Sequence, residues 1–331
     1  MPGIYLNDYI RTGHIVVIMK CVVTGGAGFI GSHLVDRLLE RRDDVTVIDN
    51  LSGGRLEFIS RYIPDDRFNF IKADLSANGY ICKEMKGADM IFHLAANPDV
   101  KIGAENTHTH LQQNIISTYN MLESMRIFGI KNLAFTSTST IYGEASVMPT
   151  PEDYGPLKPI SLYGASKLAS EALISSYCHT FDMRSWIYRF ANIIGDRSTH
   201  GVIYDFIGRL RNDPARLTIL GNGKQSKSYL HVDDCVNAML HVVKIGKEQV
   251  NMYNIGSEDR IEVADIARII ADEMKLNGVK FEFTGGERGW KGDVPFMALS
   301  IEKIKATGWI PSHNSEESVR LCVRSLLADM N

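Results

Sequence analysis

Lys20-Cys-Val-Val-Thr-Gly-Gly-Ala-Gly-Phe-Ile-Gly31 decides the fold. Lys20–Thr24 is a short apolar run that predicts a buried strand. The pattern then changes period, with Ile30, Leu34, Leu38 and Leu39 recurring at helical spacing. Between strand and helix lie Gly25, Gly28 and Gly31, a G-x-x-G-x-x-G turn. Glycines there permit a tight turn and a close backbone approach to a pyrophosphate, and the helix N–H groups beyond stabilise the anion. Glycines alone often only punctuate turns, but here a strand precedes and a helix follows. The next apolar run, Val45–Asp49, ends in a carboxylate. An acidic residue at that point accepts hydrogen bonds from adenosine ribose hydroxyls and repels a 2′-phosphate, which favours NAD over NADP. The alternative for Asp49 is a turn cap before Asn50 and Ser52-Gly-Gly54.

Working outward, Phe68–Lys72, Met90–Leu94, Leu133–Ser137 and Ser185–Phe190 read as further buried strands. Helices are predicted over 79–86, 110–128 and 163–182. Leu111, Ile115, Thr118, Leu122 and Met125 mark the apolar face of the second. This alternation predicts an α/β chain with a doubly wound, Rossmann-type parallel sheet. After Asn192 the regularity falls at Gly195, Gly201, Pro214 and Gly221-Asn-Gly223. Helices over 232–244, 262–276 and 315–329 and a strand at Lys280–Phe283 are still expected. The predicted division is an N-terminal extension over 1–18, a dinucleotide-binding domain over 19–196, and a smaller C-terminal α/β substrate-binding region over 197–331. No Pro/Ser-rich linker separates the last two, so one shared cleft is expected.

The 331 residues are 44% hydrophobic and 23% charged, with a net charge of -3. This is an ordinary globular composition without the basic excess of a nucleic-acid binder. Cys21, Cys82, Cys178, Cys235 and Cys322 are odd in number and lack a C-x-x-C. That argues against a disulfide framework or zinc site and points to a reducing, cytoplasmic compartment. No run of about 18 uncharged apolar residues predicts a membrane span. Ile15–Met19 is short for a signal segment. Thr107-His-Thr-His110 raises the question of a metal, but no third ligand has suitable spacing, so a polar helix start and no metal are expected. His93, at a strand end, reads as a satisfied buried histidine, and the segment of His231 before Asp233-Asp234 resembles a structural strand-to-helix junction. Trp186 and Trp309 read as packing, and Trp290 as the tryptophan that could line a cleft.

Tyr163-Gly-Ala-Ser-Lys167 places a phenol and an ammonium one helical turn apart on one face. A free phenol, with a pKa of about 10, is a poor base at neutral pH, and a nearby cation lowers that value. The pair alone is a common accident on helices. Its company on this chain is Thr24-Gly-Gly-Ala-Gly-Phe-Ile-Gly31, Asp74-Leu75, His93-Leu-Ala-Ala96, Thr136-Ser-Thr-Ser-Thr-Ile-Tyr-Gly143 and Arg189-Phe-Ala-Asn192. With these motifs in this order, the chain resembles the extended short-chain dehydrogenase/reductases that modify nucleotide sugars, from residue 19 to the C-terminus. Within them it is most similar to the UDP-glucose (UDP-galactose) 4-epimerases.

The resemblance implies roles residue by residue. Thr138 would hydrogen-bond the sugar O4, Tyr163 would take its proton, and Lys167 would bind the nicotinamide ribose and hold the phenolate. The turn residues Gly25, Gly28, Phe29, Ile30 and Gly31 would hold the NAD pyrophosphate, and Asp49, Asn50 and Ser52 its adenosine end. Asp74 and Leu75 would meet the adenine, Leu94, Ala95 and Ala96 the dinucleotide backbone, and Asn114 and Phe190 the nicotinamide side. Asn192, Lys227, Tyr229 and Asp293 would bind the nucleotide-sugar, a UDP-hexose. The resemblance also implies a homodimer. Related 4,6-dehydratases carry Asp-Glu after the catalytic hydroxyl and decarboxylases Ser-Glu, whereas Ser139-Thr140 stand here. That favours hydride removal, rotation of the 4-keto sugar and hydride return. The chain departs from the epimerase pattern at Lys227 and Trp290, each standing for Arg, at Met297 for Tyr, and at Pro98 for Lys, with Lys101 nearby as a substitute. Arg288 or Lys291 could restore the missing charge. A net oxidoreductase or lyase of the same superfamily is the alternative. A non-catalytic dinucleotide sensor would have no need of Thr138, Tyr163 and Lys167.

Overall fold

The structure, a computed structural model, describes residues 18–77, 81–290 and 292–329. The expected extension over 1–18 lies, but for its last residue, outside the described residues. Seven strands form the main sheet in the order β11-β6-β5-β4-β1-β2-β3. They are β1 Lys20–Thr24, β2 Asp44–Asp49, β3 Phe68–Lys72, β4 Met90–His93, β5 Asn132–Thr138, β6 Arg184–Phe190 and β11 Val250–Ile255. Every neighbouring pair is parallel. Strands covered on both faces read as near-continuous apolar runs, which is why β1, β4 and β5 are almost wholly buried. The chain passes from β1 outward to β3 and then returns to β4 on the other side of β1. This makes a switch point between β1 and β4, and in such sheets ligands bind outside the carboxyl ends of the strands there.

Helix α1, Phe29–Glu40, buries Leu34, Val35, Leu38 and Leu39 in the main core. Each fully buried side chain of this kind contributes about 1.5–3 kcal/mol. Between β4 and β5 come α2 Ile102–Glu105, α3 Thr107–His110, a six-residue π-helical stretch Leu111–Ile116, and α4 Ser117–Phe128. The expected helix over 110–128 is therefore interrupted. The wider turn shifts the face, leaving Leu111 46% exposed while Asn114 turns inward. The expected helix over 79–86 is also corrected: 78–80 lie outside the described residues, and Lys83–Met85 is a single 3-10 turn. Helix α5, Leu162–Phe181, precedes β6 and is capped by Ser161, whose Oγ accepts the Gly164 N–H at 3.1 Å.

The remaining strands are short. β7 Asn192–Ile194 pairs with β10 Tyr229–His231; β8 Arg216–Ile219 pairs with β13 Lys280–Phe283. β9 Ser226–Lys227 lies between β12 Ile261–Glu262 and β14 Phe296–Met297. Helices α6 Val202–Asn212, α8 Val263–Glu273 and α10 Ser315–Asp329 enclose a second core of Phe206, Ile207, Ile266, Ile270, Val319 and Val323. The chain returns to the main sheet with α7 Val232–Ile245, packed beside α1, and with β11 at the sheet edge. A last short helix, α9, spans Glu302–Lys305. The five cysteines are buried, and none is in a disulfide. Among the described residues, no helix is long and apolar enough to cross a membrane.

Candidate active site

The glycine turn sits at the switch point. Gly25 follows β1 with φ +71, and its N–H donates to Ile48 O at 2.9 Å. A Cβ there would lie 2.6 Å from the Ala95 N, and one on Gly31 would lie 2.2 Å from the Gly25 O. Only glycine allows this three-way approach of β1, α1 and the strand end at Leu94–Ala96. Helix α1 starts at Gly28 with no side-chain cap and no acidic residue in its first turn. Its leading N–H groups are thus left for an anion. The Asp49 carboxylate, 7% exposed, accepts the N–H of Ala27 at 3.0 Å and of Leu51 at 2.8 Å. Burial pushes its pKa up, and these two bonds oppose the shift. Gly54 leaves the space beside it open, since a Cβ there would sit 2.9 Å from both carboxylate oxygens. Asn50 both accepts the Ser52 N–H at 2.9 Å and donates to Asp74 at 3.2 Å, so the expected adenosine residues share one edge. A glycine cradle, an uncapped helix start and an acceptor beyond the next strand fit a dinucleotide. Leu75 and Phe190 are buried, Leu75 among core side chains and Phe190 stacked on Tyr188 with centroids 6.1 Å apart.

Thr138 ends β5, one strand beyond β4, and Tyr163 opens α5 opposite it. The Thr138 hydroxyl lies beside the Tyr163 phenol and accepts the Thr140 N–H at 3.2 Å. Lys167 lies one turn further along α5, 3% exposed. Its Nζ donates to Thr136 O at 2.7 Å and stands 4.7 Å from the Phe135 ring centroid. The structure brings all three predicted catalytic residues together. It corrects their expected electrostatics. Desolvation pushes the Tyr163 phenol up to about 12, with the Thr138 hydroxyl lowering it only in part. Burial pushes Lys167 down to about 7, against the raising effect of Glu171. Desolvating both groups outweighs the attraction that their spacing suggested.

His93 is a satisfied buried histidine, and its bonds run in one direction. Ala95 N–H donates to Thr24 Oγ1 at 3.3 Å, and Thr24 Oγ1 lies 2.7 Å from His93 Nδ1. His93 Nε2 lies 3.1 Å from Thr118 Oγ1, which donates to Asn114 O at 2.6 Å. That chain assigns the proton to Nε2, since Thr118 has already given its own. Burial first and the Lys167 charge second push His93 down to about 3, so it stays neutral. Replacing His93 with Leu leaves the Thr24 and Thr118 hydroxyls buried without their shared partner. A loss of about 1–3 kcal/mol is expected in urea unfolding, because the Thr24 O–H loses its acceptor while Thr118 keeps its bond to Asn114 O.

Asn114 is committed to the protein, accepting the Asn97 N–H at 2.7 Å and donating to Ser166 Oγ at 2.9 Å. His110, expected on a polar helix start, is 1% exposed and packs 5.7 Å from the Tyr163 ring. Only the start is polar: Asn106 caps the His108 N–H at 3.1 Å. His231 is the junction foreseen, its Nδ1 accepting the Asp233 N–H at 3.3 Å at the start of α7.

Across the cleft, Lys227 Nζ pairs with Asp293 Oδ1 at 2.8 Å, and Asp293 Oδ2 accepts the Gly289 N–H at 3.0 Å. Trp290 lies between Lys101 and Lys227, whose ammonium groups are 4.8 and 5.4 Å from its ring centroid. Arg288 is tied to Glu144 and to Asp293 O, and Lys291 lies outside the described residues. Asn192 Nδ2 donates to Ser228 O at 3.1 Å. Tyr229 sits in the second core, 5% exposed, with Asp293 near enough to raise its phenol further after burial. Sequence reasoning missed Glu171 and the side chain of Arg189. Glu171 lies two turns past Tyr163 on the same face, and that helical spacing was the available signal.

Residues 21–256 match the NAD dependent epimerase/dehydratase family, and the chain belongs to it. It is thus a member of a family of NAD-dependent nucleotide-sugar enzymes. In particular, it is 40% identical to a crystal structure of a UDP-galactose 4-epimerase, covering 95% of this chain and 100% of that one with a TM-score of 0.85. A UDP-glucose 4-epimerase of Corynebacterium glutamicum is 29% identical, over 91% of this chain and 93% of its own. UDP-glucuronic acid decarboxylase 4 of Arabidopsis thaliana is 32% identical, over 93% of this chain and 68% of its own.

Proposed function

We propose that the protein inverts C4 of a nucleotide hexose, with a UDP-hexose as substrate. The observation that carries this reading is the set of groups around the trio. Ser139-Thr140 follow Thr138 where an eliminating or decarboxylating site needs a carboxylate. Glu171, the buried carboxylate on the Tyr163 face of α5, is engaged by Arg189 and Ser137. Proton transfer therefore rests on Tyr163. NAD, held by the glycine turn and Asp49, would supply reversible hydride transfer at sugar C4. Thr138 orients O4, and Tyr163 takes its proton and gives it back. Lys167 binds the nicotinamide ribose, and the Thr138 hydroxyl opposes part of the desolvation that keeps the phenol protonated. The Lys227–Asp293 pair opens to let Lys227 meet the diphosphate and Asp293 the nucleoside ribose, with Asn192 and Tyr229 beside them. The glycine turn and Asp49 hold the cofactor, with Asp74, Leu75, Asn114 and Phe190 around it. Residues 197–331 supply Lys227, Tyr229 and Asp293 to the nucleotide-sugar side, although β11 of that stretch belongs to the main sheet and α7 packs beside α1.

A decarboxylase or dehydratase is the second reading, favoured by the similarity to the Arabidopsis relative. Incubation with UDP-, dTDP- and GDP-sugars, followed by NMR of the products, separates the two. Epimers without added NAD support the proposal; conversion of none of the sugars contradicts it. Asp49→Asn keeps an acceptor but removes the charge that repels a 2′-phosphate. The NADP-to-NAD affinity ratio, measured by calorimetry, should rise by about tenfold or more, equivalent to about 1.4 kcal/mol. Exposed Leu111, Tyr119, Ile127 and Phe181 on the 111–181 helices support the inferred homodimer, which sedimentation tests.

A further inference from the structure

Beneath the catalytic trio lies a buried polar network that joins α5, β5, β6, β11 and the turn after Thr138. Glu171, 5% exposed, accepts Arg189 Nε at 3.1 Å and Arg189 Nη2 at 2.8 Å, and also takes the Ser137 hydroxyl. Arg189, 3% exposed, further donates to Tyr142 Oη at 2.9 Å and Glu152 O at 2.7 Å. Tyr142 in turn donates to Asn254 Oδ1 at 2.7 Å. The network thus ties α5 to β5 one residue before Thr138, to β6, and to the turn that follows Thr138.

We propose that Glu171 is a positioning residue for the reaction. Through its pair with Arg189 it sets the Tyr163–Lys167 face of α5 against the Thr138 end of β5, and its carboxylate faces the Lys167 ammonium. This rests on the epimerase reading for its rate measurements only. The charged and titratable groups facing Lys167 are Tyr163 and Glu171 on its own helix, His93 from β4, His110 from α3, and Arg189 from β6 behind Glu171. His93 is neutral, and Glu171 is the group that raises Lys167. A buried pair of this kind is weak evidence for stability, because desolvating two charges costs about as much as their attraction returns. A positional and electrostatic role accounts for it here.

The test uses NAD-loaded protein carrying 13Cε-lysine, with the Lys167 signal assigned by its loss in K167M. In E171Q, Lys167 loses its carboxylate and faces an uncompensated Arg189. Its NMR titration and the alkaline limb of the epimerase rate should both move to lower pH, by about one unit or more. E171M/R189M removes both charges, so the titration should return towards wild type while kcat stays about tenfold down and KM changes little. An unmoved Lys167 titration in folded E171Q overturns the electrostatic role. Should E171Q fail to fold, the double variant decides, since a wild-type kcat there overturns the positioning role. Wild-type protein that epimerises no sugar would defeat the functional reading while leaving the lysine titration interpretable.

Discussion

Tyr163→Phe is expected to lower turnover by about 10³-fold or more while NAD remains bound, because positioned acid–base catalysis supplies about 10²–10⁴-fold. Phenylalanine keeps the ring that packs 5.7 Å from His110 and removes only the oxygen facing Thr138. Lys167 keeps its bond to Thr136 O, made by a neighbouring strand rather than by Tyr163. The cofactor side is therefore undisturbed, and the loss should fall on kcat with little change in KM or in NAD content. Steady-state rates and the absorbance of the released nucleotide measure both. A rate within about tenfold of wild type would mean that another group moves the O4 proton.

Gly31→Ala should be the most damaging single change at the cofactor turn. The new Cβ would lie 2.2 Å from Gly25 O and 2.8 Å from Gly26 Cα, both backbone atoms. The turn cannot retreat, because Gly25 is pinned to Ile48 O at 2.9 Å and has the Ala95 backbone against its other side. Either α1 tilts away or β1 shifts, and both move the N–H groups that would face a pyrophosphate. NAD affinity measured by calorimetry should fall about 100-fold or more, equivalent to about 2.7 kcal/mol. Gly28→Ala is the control. Its Cβ would lie 3.1 Å from Gly25 O at φ -79, a backbone conformation open to any residue, so a milder loss is expected. Equal affinities for wild type and Gly31→Ala would show that the cradle does not hold the dinucleotide.

The parallel sheet was legible because its strands are covered on both faces and their apolar runs need no partner to be recognised. The π-helical stretch at 111–116 was not. Its wider hydrogen-bond period has no side-chain signature, so Leu111 was placed inward with Leu122 and Met125 although it lies exposed. In the site, Tyr163 and Lys167 could be paired from their helical spacing alone. The shift of each could not, since desolvation depends on β5 and on the residues packed around it. Glu171 sat in plain view on the same helix face, but its partner Arg189 comes from β6. The same holds for Lys227 and Asp293, each read separately as a ligand contact although they bond each other at 2.8 Å. Pairings made across the fold leave no periodicity in the chain.

Transient oxidation at C4 makes one demand that elimination and decarboxylation do not share. The hydrogen taken from C4 must come back to C4 on the opposite face. Incubating the enzyme with a UDP-hexose deuterated at C4, without added NAD, and following the products by NMR tests this directly. The expected product is the C4 epimer with deuterium retained at C4. Deuterium delivered to C6, or deuterium washed out to solvent, would contradict it.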